Sequence, residues 1–284
     1  METANPALEP VCRGVSRLTF TAPYAGALEG DVNAYLVGDR EGVLIDTGYP
    51  WAAGDVERRA LWERLGRPRA VLLTHGHPDH VGGVAALAAL GVPIYAHAAE
   101  APVLAAAGLA GSWRELPGAA VDTAHGALAV LHTPGHTPGH CCFELAACGI
   151  LFSGDLVLAR GTTWIGPPFG DMRAYLDSLR QIAARPALAI LASAHGPLDA
   201  APERRATAVL EHRLQREQQV LAALASGPAT ATAVATAIYA AEVPQALMPF
   251  ARMTALAHLD MLVSEGRALS AGEAPDGDPV FLLP

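Results

Sequence analysis

The run Thr74-His75-Gly76-His77-Pro78-Asp79-His80 places three imidazoles and one carboxylate within six residues. Such nitrogens and oxygens are the donors that a borderline divalent ion such as zinc accepts, provided several converge from fixed positions. On a tight turn leading into a helix, His75 and His77 can face one ion while Asp79 and His80 face a second about 3.5–4 Å away. A second cluster, His132-Thr133-Pro134-Gly135-His136-Thr137-Pro138-Gly139-His140, sets imidazoles among paired Pro-Gly turns that hold a side chain at little entropic cost. His136, centred between the turns, is the candidate ligand, and His132 and His140 are assigned supporting hydrogen bonds. Ser153-Gly154-Asp155 sets a carboxylate after an apolar strand, where it can bridge two ions, and Ala194-His195-Gly196-Pro197 again follows a strand with an imidazole. Alone, a strand-end Asp reads as a turn residue and a His-rich loop as a solvated one. The order and spacing of the four motifs carry the metal reading.

These side chains need a scaffold that delivers strand ends to one place. Val15-Ser16-Arg17-Leu18-Thr19-Phe20, Asn33-Ala34-Tyr35-Leu36-Val37 and Gly42-Val43-Leu44-Ile45-Asp46 read as strands punctuated by Gly and Asp. Helical spacing is expected from Ala53 to Leu65, a buried strand at 70–74, a helix from Val81 to Leu90 ended by Gly91, and a strand at 92–96. Strands are expected again at 128–131, 141–145, 149–152 and 189–192, with a helix from Asp171 to Ala184. Each apolar strand from residue 70 onward runs into a loop bearing His or Asp, and these loops can converge at one sheet edge. The predicted fold class is therefore α/β, with the ligand site at strand C-termini.

Past His195 the pattern changes. Pro202 to Ala225 reads as one long helix, Gly227-Pro228 breaks it, and helices at 229–239 and 249–264 precede a hairpin ending at Pro279–Leu283. This suggests a small winged-helix-like appendage. The predicted division is a catalytic domain at 1–200, a linking helix at 201–227 and a C-terminal domain at 228–284.

The chain has 284 residues, 51% of them hydrophobic, and a formal net charge of −9 in which every basic residue is Arg. An acidic chain gains little from counterion release, so nucleic acid is a disfavoured partner and a small-molecule substrate is expected. No apolar stretch is read as reaching the roughly 20 residues that span a bilayer, so a soluble protein without a membrane partner is expected. Met1-Glu2-Thr3-Ala4-Asn5-Pro6 lacks a basic and an apolar region of a secretory signal, which points to the cytoplasm. Cys12, Cys141, Cys142 and Cys148 show no CxxC spacing, so no disulfide framework is expected, and the last three are assigned as small buried hydrophobes.

In sequence order, the HxHxDH run at 75–80, His136, Asp155 and His195 resemble the metallo-β-lactamase superfamily, over about residues 15 to 200. The resemblance implies an αβ/βα four-layer sandwich and two divalent ions. His75, His77 and His136 look like ligands of the first, Asp79, His80 and His195 of the second, with Asp155 bridging. Asp46-Thr47-Gly48 resembles the family's strand-end turn beneath the site. Gly154-Asp155 followed by Gly161-Thr162-Thr163, Gly170-Asp171-Met172 before Tyr175-Leu176-Asp177-Ser178-Leu179, and His212-Arg213 before Arg216-Glu217-Gln218-Gln219 are most similar to the branch containing beta-lactamase-like protein 2. That branch also has a small winged-helix-like domain. One departure is Ser193-Ala194-His195-Gly196, where the family has Pro-Gly-His-Gly.

The chemistry so implied is hydrolysis by a metal-bound hydroxide, with Asp79 orienting the water and taking its proton. A Glu at position 77 would resemble the di-iron flavoproteins of the superfamily, and His77 favours hydrolysis instead. Zinc is the expected metal, with iron and manganese as alternatives. A small acyl ester or thioester is the first substrate reading. The alternative is a single-stranded RNA endonuclease, for which Arg160, Arg173, Arg213, Arg216, Arg252 and Arg267 would have to gather at the cleft, with Trp164 or Phe169 stacking on bases. A second alternative is a winged-helix DNA-binding regulator with a vestigial catalytic domain, reading DNA through the helix at 249–264.

Overall fold

A computed structural model describes residues 7–21, 30–39, 41–50 and 55–284, with side chains of the first helix from Arg59 onward. Met1 to Pro6, which bear on a secretory signal, and Ala53, the expected start of the first helix, lie outside the described residues.

Strands β1 (Glu9–Cys12), β2 (Val15–Phe20), β3 (Val32–Val37) and β4 (Val43–Ile45) pair antiparallel. After helix α1 (Asp55–Leu65), strands β5 (Ala70–Leu72), β6 (Ile94–Ala96) and β7 (Arg114–Glu115) continue the sheet in parallel. Helices α2 (Pro78–Val81) and α3 (Val84–Ala89) lie between β5 and β6, and α4 (Ala101–Ala106) precedes β7. A second sheet holds β8 (Ala120–Thr123), β9 (Gly126–His132), β10 (Cys141–Leu145) and β11 (Ile150–Gly154), all antiparallel. Helix α5 (Met172–Ala183) then returns the chain to β12 (Ile190–Ser193), parallel to β11. The chain ends with α6 (Pro202–Leu224), β13 (Ala229–Thr230), α7 (Ala231–Tyr239), α8 (Met248–Ser264), β14 (Leu269–Glu273) and β15 (Pro279–Leu282), the three strands forming a small sheet.

The period-2 geometry of strands sorts the apolar residues into layers. Val37, Val43, Ile45 and Leu72 of the first sheet meet Leu128, Phe143, Ile150 and Phe152 of the second. Their neighbours Leu36, Leu44 and Val71 point outward onto Leu61 and Trp62 of α1 and Val84 and Leu87 of α3. Leu131, Leu151 and Leu191 likewise point onto Tyr175, Leu179 and Ile182 of α5 and Val209 of α6. This is the expected four-layer sandwich, and a one-residue slip of β4 would exchange Leu44 and Ile45 between two buried faces. Val220, Val234, Leu259, Leu262 and Phe281 form a separate apolar cluster shared by α6, α7, α8 and β15.

Three local differences from the sequence expectation bear on function. The helix expected over 81–90 is split at Gly82-Gly83, because Gly82 lies against backbone: a Cβ there would stand 2.0 Å from Pro50 N. The apolar run 245–264 has a mean hydropathy of 1.2 over 18 residues, enough in length and composition for a spanning helix, contrary to the expectation that no stretch would qualify. In this fold it supplies core: Ala255, Leu259 and Leu262 are buried in the C-terminal cluster. Cys141 and Cys142 are buried as expected, whereas Cys148 is only partly so, and all four thiols are free.

Candidate metal centre

The loops do converge, but on one edge of the paired sheets rather than on the edge of a single sheet. β5 delivers His75, His77, Asp79 and His80 from the first sheet, while β9, β11 and β12 deliver His136, Asp155 and His195 from the second. All seven sequence-selected residues therefore meet. Three overlapping sets, His75-His77-His136, His75-His80-Asp155 and Asp79-His80-His195, each hold their donor atoms within 4.8 Å of one another.

In the first set the facing nitrogens are His75 Nε2, His77 Nδ1 and His136 Nε2, at mutual separations of 3.1, 2.9 and 3.2 Å. Donors on a tetrahedral ion with bonds of about 2.0–2.1 Å stand about 3.3 Å apart, so the trio is close to the required spacing. The second set supplies a different sign of fit. Asp79 Oδ2, His80 Nε2, Asp155 Oδ1 and His195 Nε2 are buried without any hydrogen-bond partner. Burying so many polar atoms unsatisfied costs several kcal/mol unless a cation collects them, about 1–3 kcal/mol for each group. Asp155 addresses both sets: its Oδ2 lies 3.6 Å from His136 Nε2, and its Oδ1 lies 3.5 Å from His80 Nε2 and 3.6 Å from His195 Nε2.

The outward ring nitrogens are held so that the inward ones stay available. His136 Nδ1 pairs with the Trp164 carbonyl at 2.9 Å and His195 Nδ1 with the Asp31 carbonyl at 3.0 Å. His80 Nδ1 pairs with Asp46 Oδ2 at 2.8 Å. Asp46 follows β4 with φ +59°, a left-handed conformation that Asp tolerates, and its carboxylate also accepts from Thr74 N and Thr74 Oγ1, each at 2.8 Å. The turn placed under the site from the sequence thus fixes a candidate ligand directly.

Glu100 is a further supporting residue that sequence reasoning missed. Fully buried, it accepts from Gly76 N, Thr137 Oγ1 and Gly139 N, each at 2.8 Å, and so joins the 75–80 loop to the Pro-Gly loop. His140 and His132 have the supporting roles expected. His140 Nδ1 contacts Thr133 Oγ1 and its Nε2 accepts from Asp155 N, while His132 Nε2 donates to the Pro138 carbonyl.

Charge divides the site as the geometry does. Burial, and then neighbouring imidazoles, hold His75 and His77 well below the ordinary histidine range, His77 near 3; His136 is also lowered, first by burial. These rings are neutral at pH 7, the form in which imidazole ligates metal. Burial also opposes protonation of His80 and His195, but it is outweighed. Asp79, Asp46 and Asp155 drive His80 up, and Asp155 and Asp79 bring His195 to about 9. In the second set the carboxylates thus favour positive charge on the two imidazoles, the field that a bound cation would also meet.

A cavity of about 740 Å³ opens from Asp79, His136, Asp155 and His195 and is closed on its other side by α6, α7 and α8. Its apolar wall includes Leu158, Trp164, Val243, Leu247, Phe250 and Ala251. The arginines do not gather there as an RNA-cleaving site would require. Only Arg160 and Arg213 line it, whereas Arg173 pairs with Glu265, Arg216 with Glu242, Arg252 with Asp278, and Arg267 with Glu217. Trp164 lines the cavity, while Phe169 is not among its lining residues. Helix α8, the DNA-reading element in the regulator alternative, instead presents Phe250, Ala251 and Thr254 to this cavity.

Residues 27–195 match the family described as the Metallo-beta-lactamase superfamily, and residues 230–277 match the Beta-lactamase associated winged helix domain. The Beta-lactamase-like protein 2 homolog of Drosophila melanogaster is 31% identical, covering 92% of each chain. The atrochrysone carboxyl ACP thioesterase of Passalora fulva is 31% identical over 78% of this chain, which spans 65% of that protein's length. A metallo-beta-lactamase family protein from Thermus thermophilus has a solved structure that superposes with a TM-score of 0.78 at 25% identity, covering 96% of this chain and 99% of that one.

Proposed function

Because the chain belongs to the metallo-beta-lactamase superfamily and is a metal-dependent hydrolase, we propose that it cleaves small acyl esters or thioesters with two divalent ions, zinc foremost. His75, His77 and His136 would hold one ion and Asp79, His80 and His195 the other, with Asp155 placed between the two sets. The observation that supports this reading is the convergence of seven donors in three overlapping sets, the middle one containing Asp155, with four buried donor atoms that make no hydrogen bond. Bound divalent ions bring the pKa of water to about 7 and polarise the oxygen of the group attacked.

The protein's own residues supply placement and proton transfer. The Asp79 carboxylate lies at the cavity wall beside His80 and His195, which puts it in place to orient the attacking water and accept its proton. The 158–164 loop and α8 enclose the acyl chain: Trp164 and Phe250 meet edge to face at 6.0 Å beside the Leu158, Val243 and Leu247 surface. The reaction consumes one water, breaks the acyl C–O or C–S bond, and releases a carboxylate, a proton and the alcohol or thiol.

The apolar wall and the paired arginines favour acyl substrates over RNA. An assay of a chromogenic ester, a thioester and a labelled single-stranded RNA, run in parallel on one preparation, tests this. Turnover of an ester or thioester is expected, and cleavage of RNA alone would show the acyl assignment to be wrong.

A further inference from the structure

Arg213 is the unusual residue of the cavity. It is 3% exposed, yet none of the described carboxylates forms an ion pair with it. Its interactions are with neutral groups: Nη2 donates to the Thr163 carbonyl, and the guanidinium lies 5.7 Å from the centre of the Tyr175 ring. Its Nε–H is buried with no acceptor. Arg216 of α6 and Arg252 of α8 are matched with carboxylates, Glu242 and Asp278, while Arg205 of α6 also donates to carbonyls but is only partly buried. A buried cation left without a counter-charge is destabilising, and a fold that keeps one has a use for it.

Two further donors share this wall. Tyr239 is a lining residue of the cavity, and its hydroxyl is buried beneath that wall without a hydrogen-bond partner. His212 precedes Arg213 on α6 and also lines the cavity; burial and the Arg213 charge lower its pKa, so a neutral ring stands ready to donate. Arg213 is connected to the metal centre as well, since Thr163 accepts from it through its carbonyl and donates through Oγ1 to the Asp155 carbonyl.

We propose that Arg213, assisted by Tyr239 and His212, is the anion-recognition group of this pocket, and that the natural substrate is an acyl ester or thioester bearing a carboxylate or phosphate besides its scissile bond. This rests on the acyl-hydrolase reading above. The anion is carried either on the acyl chain or on the leaving alcohol or thiol, and the shared chemistry is an oxyanion within reach of the guanidinium.

The test compares two matched pairs of thioesters: pentanoyl- with glutaryl-N-acetylcysteamine, and pentanoyl-pantetheine with its 4′-phosphate. In one pair kcat/KM is expected to favour the charged member by about tenfold to a hundredfold, the range of a hydrogen-bonded charge. The pair showing it locates the anion. Arg213→Gln is expected to remove most of that preference and Arg213→Lys to retain part of it. Equal kcat/KM within both pairs for the wild-type protein overturns the proposal, and this comparison needs no variant to fold. So does an equal loss on charged and neutral members in Arg213→Gln. If neither these thioesters nor the chromogenic ester is hydrolysed, the acyl-hydrolase reading fails separately, and calorimetric titration with glutarate and with inorganic phosphate decides the anion site. Binding by wild type that Arg213→Gln loses sustains it, and absence of binding by wild type overturns it.

Discussion

Asp79, Asp46 and Glu100 are three buried acids with three different tasks, and substitution separates them. Asp79 reaches the site beside His80 and His195, so Asp79→Ala should lower kcat by at least about a hundredfold, the usual scale of general-base loss. Asp46 acts through His80 and Thr74. Asp46→Ala should weaken the affinity for the second metal about 10- to 100-fold in a chelator competition, while the first metal is held nearly as before. Glu100 touches neither metal set and instead satisfies two backbone amides and a hydroxyl. The chemistry of the seven candidate ligands was legible because metal binding demands particular donor atoms, and those residue types are otherwise rare in apolar strand-end loops. Glu100 was not legible, since its surroundings spell only an Ala-rich helix start and its partners lie in loops distant in sequence.

At the scale of elements, the site depends on close backbone approaches that local pattern does not record. Gly82 separates α2 from α3 and packs on the Tyr49–Pro50 backbone, with Gly82 N donating to the Gly48 carbonyl at 2.9 Å. Gly82→Ala should therefore destabilise the protein by about 1–3 kcal/mol in chemical denaturation, the usual result of forcing a methyl into packed backbone. The periodicity of 81–90 announces one helix because apolar spacing continues across the break; the tertiary contact that interrupts it is invisible to spacing. The strands β3 to β5 were legible for another reason: buried on both faces, they read as continuous apolar runs bounded by turn residues. The short strands β7 and β8 and helix α4 escaped notice because too few residues carry their pattern. Gly135 is a comparable case beside a ligand: its φ is +134°, and a Cβ would stand 2.3 Å from the Tyr175 backbone.

For the whole molecule, the C-terminal helices complete the cavity. They also bury an imidazole between the two parts of the chain. Both ring nitrogens of His258 lack hydrogen-bond partners, and burial, then the neighbouring Arg213, His212 and Arg216, which oppose a further positive charge, hold its pKa down to about 3. The unfolded chain regains the ordinary value of about 6.5, so between these limits the unfolded state binds more protons than the folded one. Stability should accordingly rise with pH in that window and fall on acidification below about pH 6.5, by up to about 1.4 kcal/mol per unit. Thermal melts of wild type and His258→Leu from pH 7.5 to 5 should show the smaller acid sensitivity in the variant. Arg213 could not be singled out from sequence for a related reason: composition counts charges, while only packing reveals which charge lacks a partner.

Seven side chains drawn from two sheets are proposed to hold two ions for hydrolysis. Elemental analysis of metal-replete, desalted protein measures that stoichiometry. About two transition-metal equivalents per chain are expected, consistent with a two-metal hydrolase, and fewer than about half an equivalent would contradict the assignment.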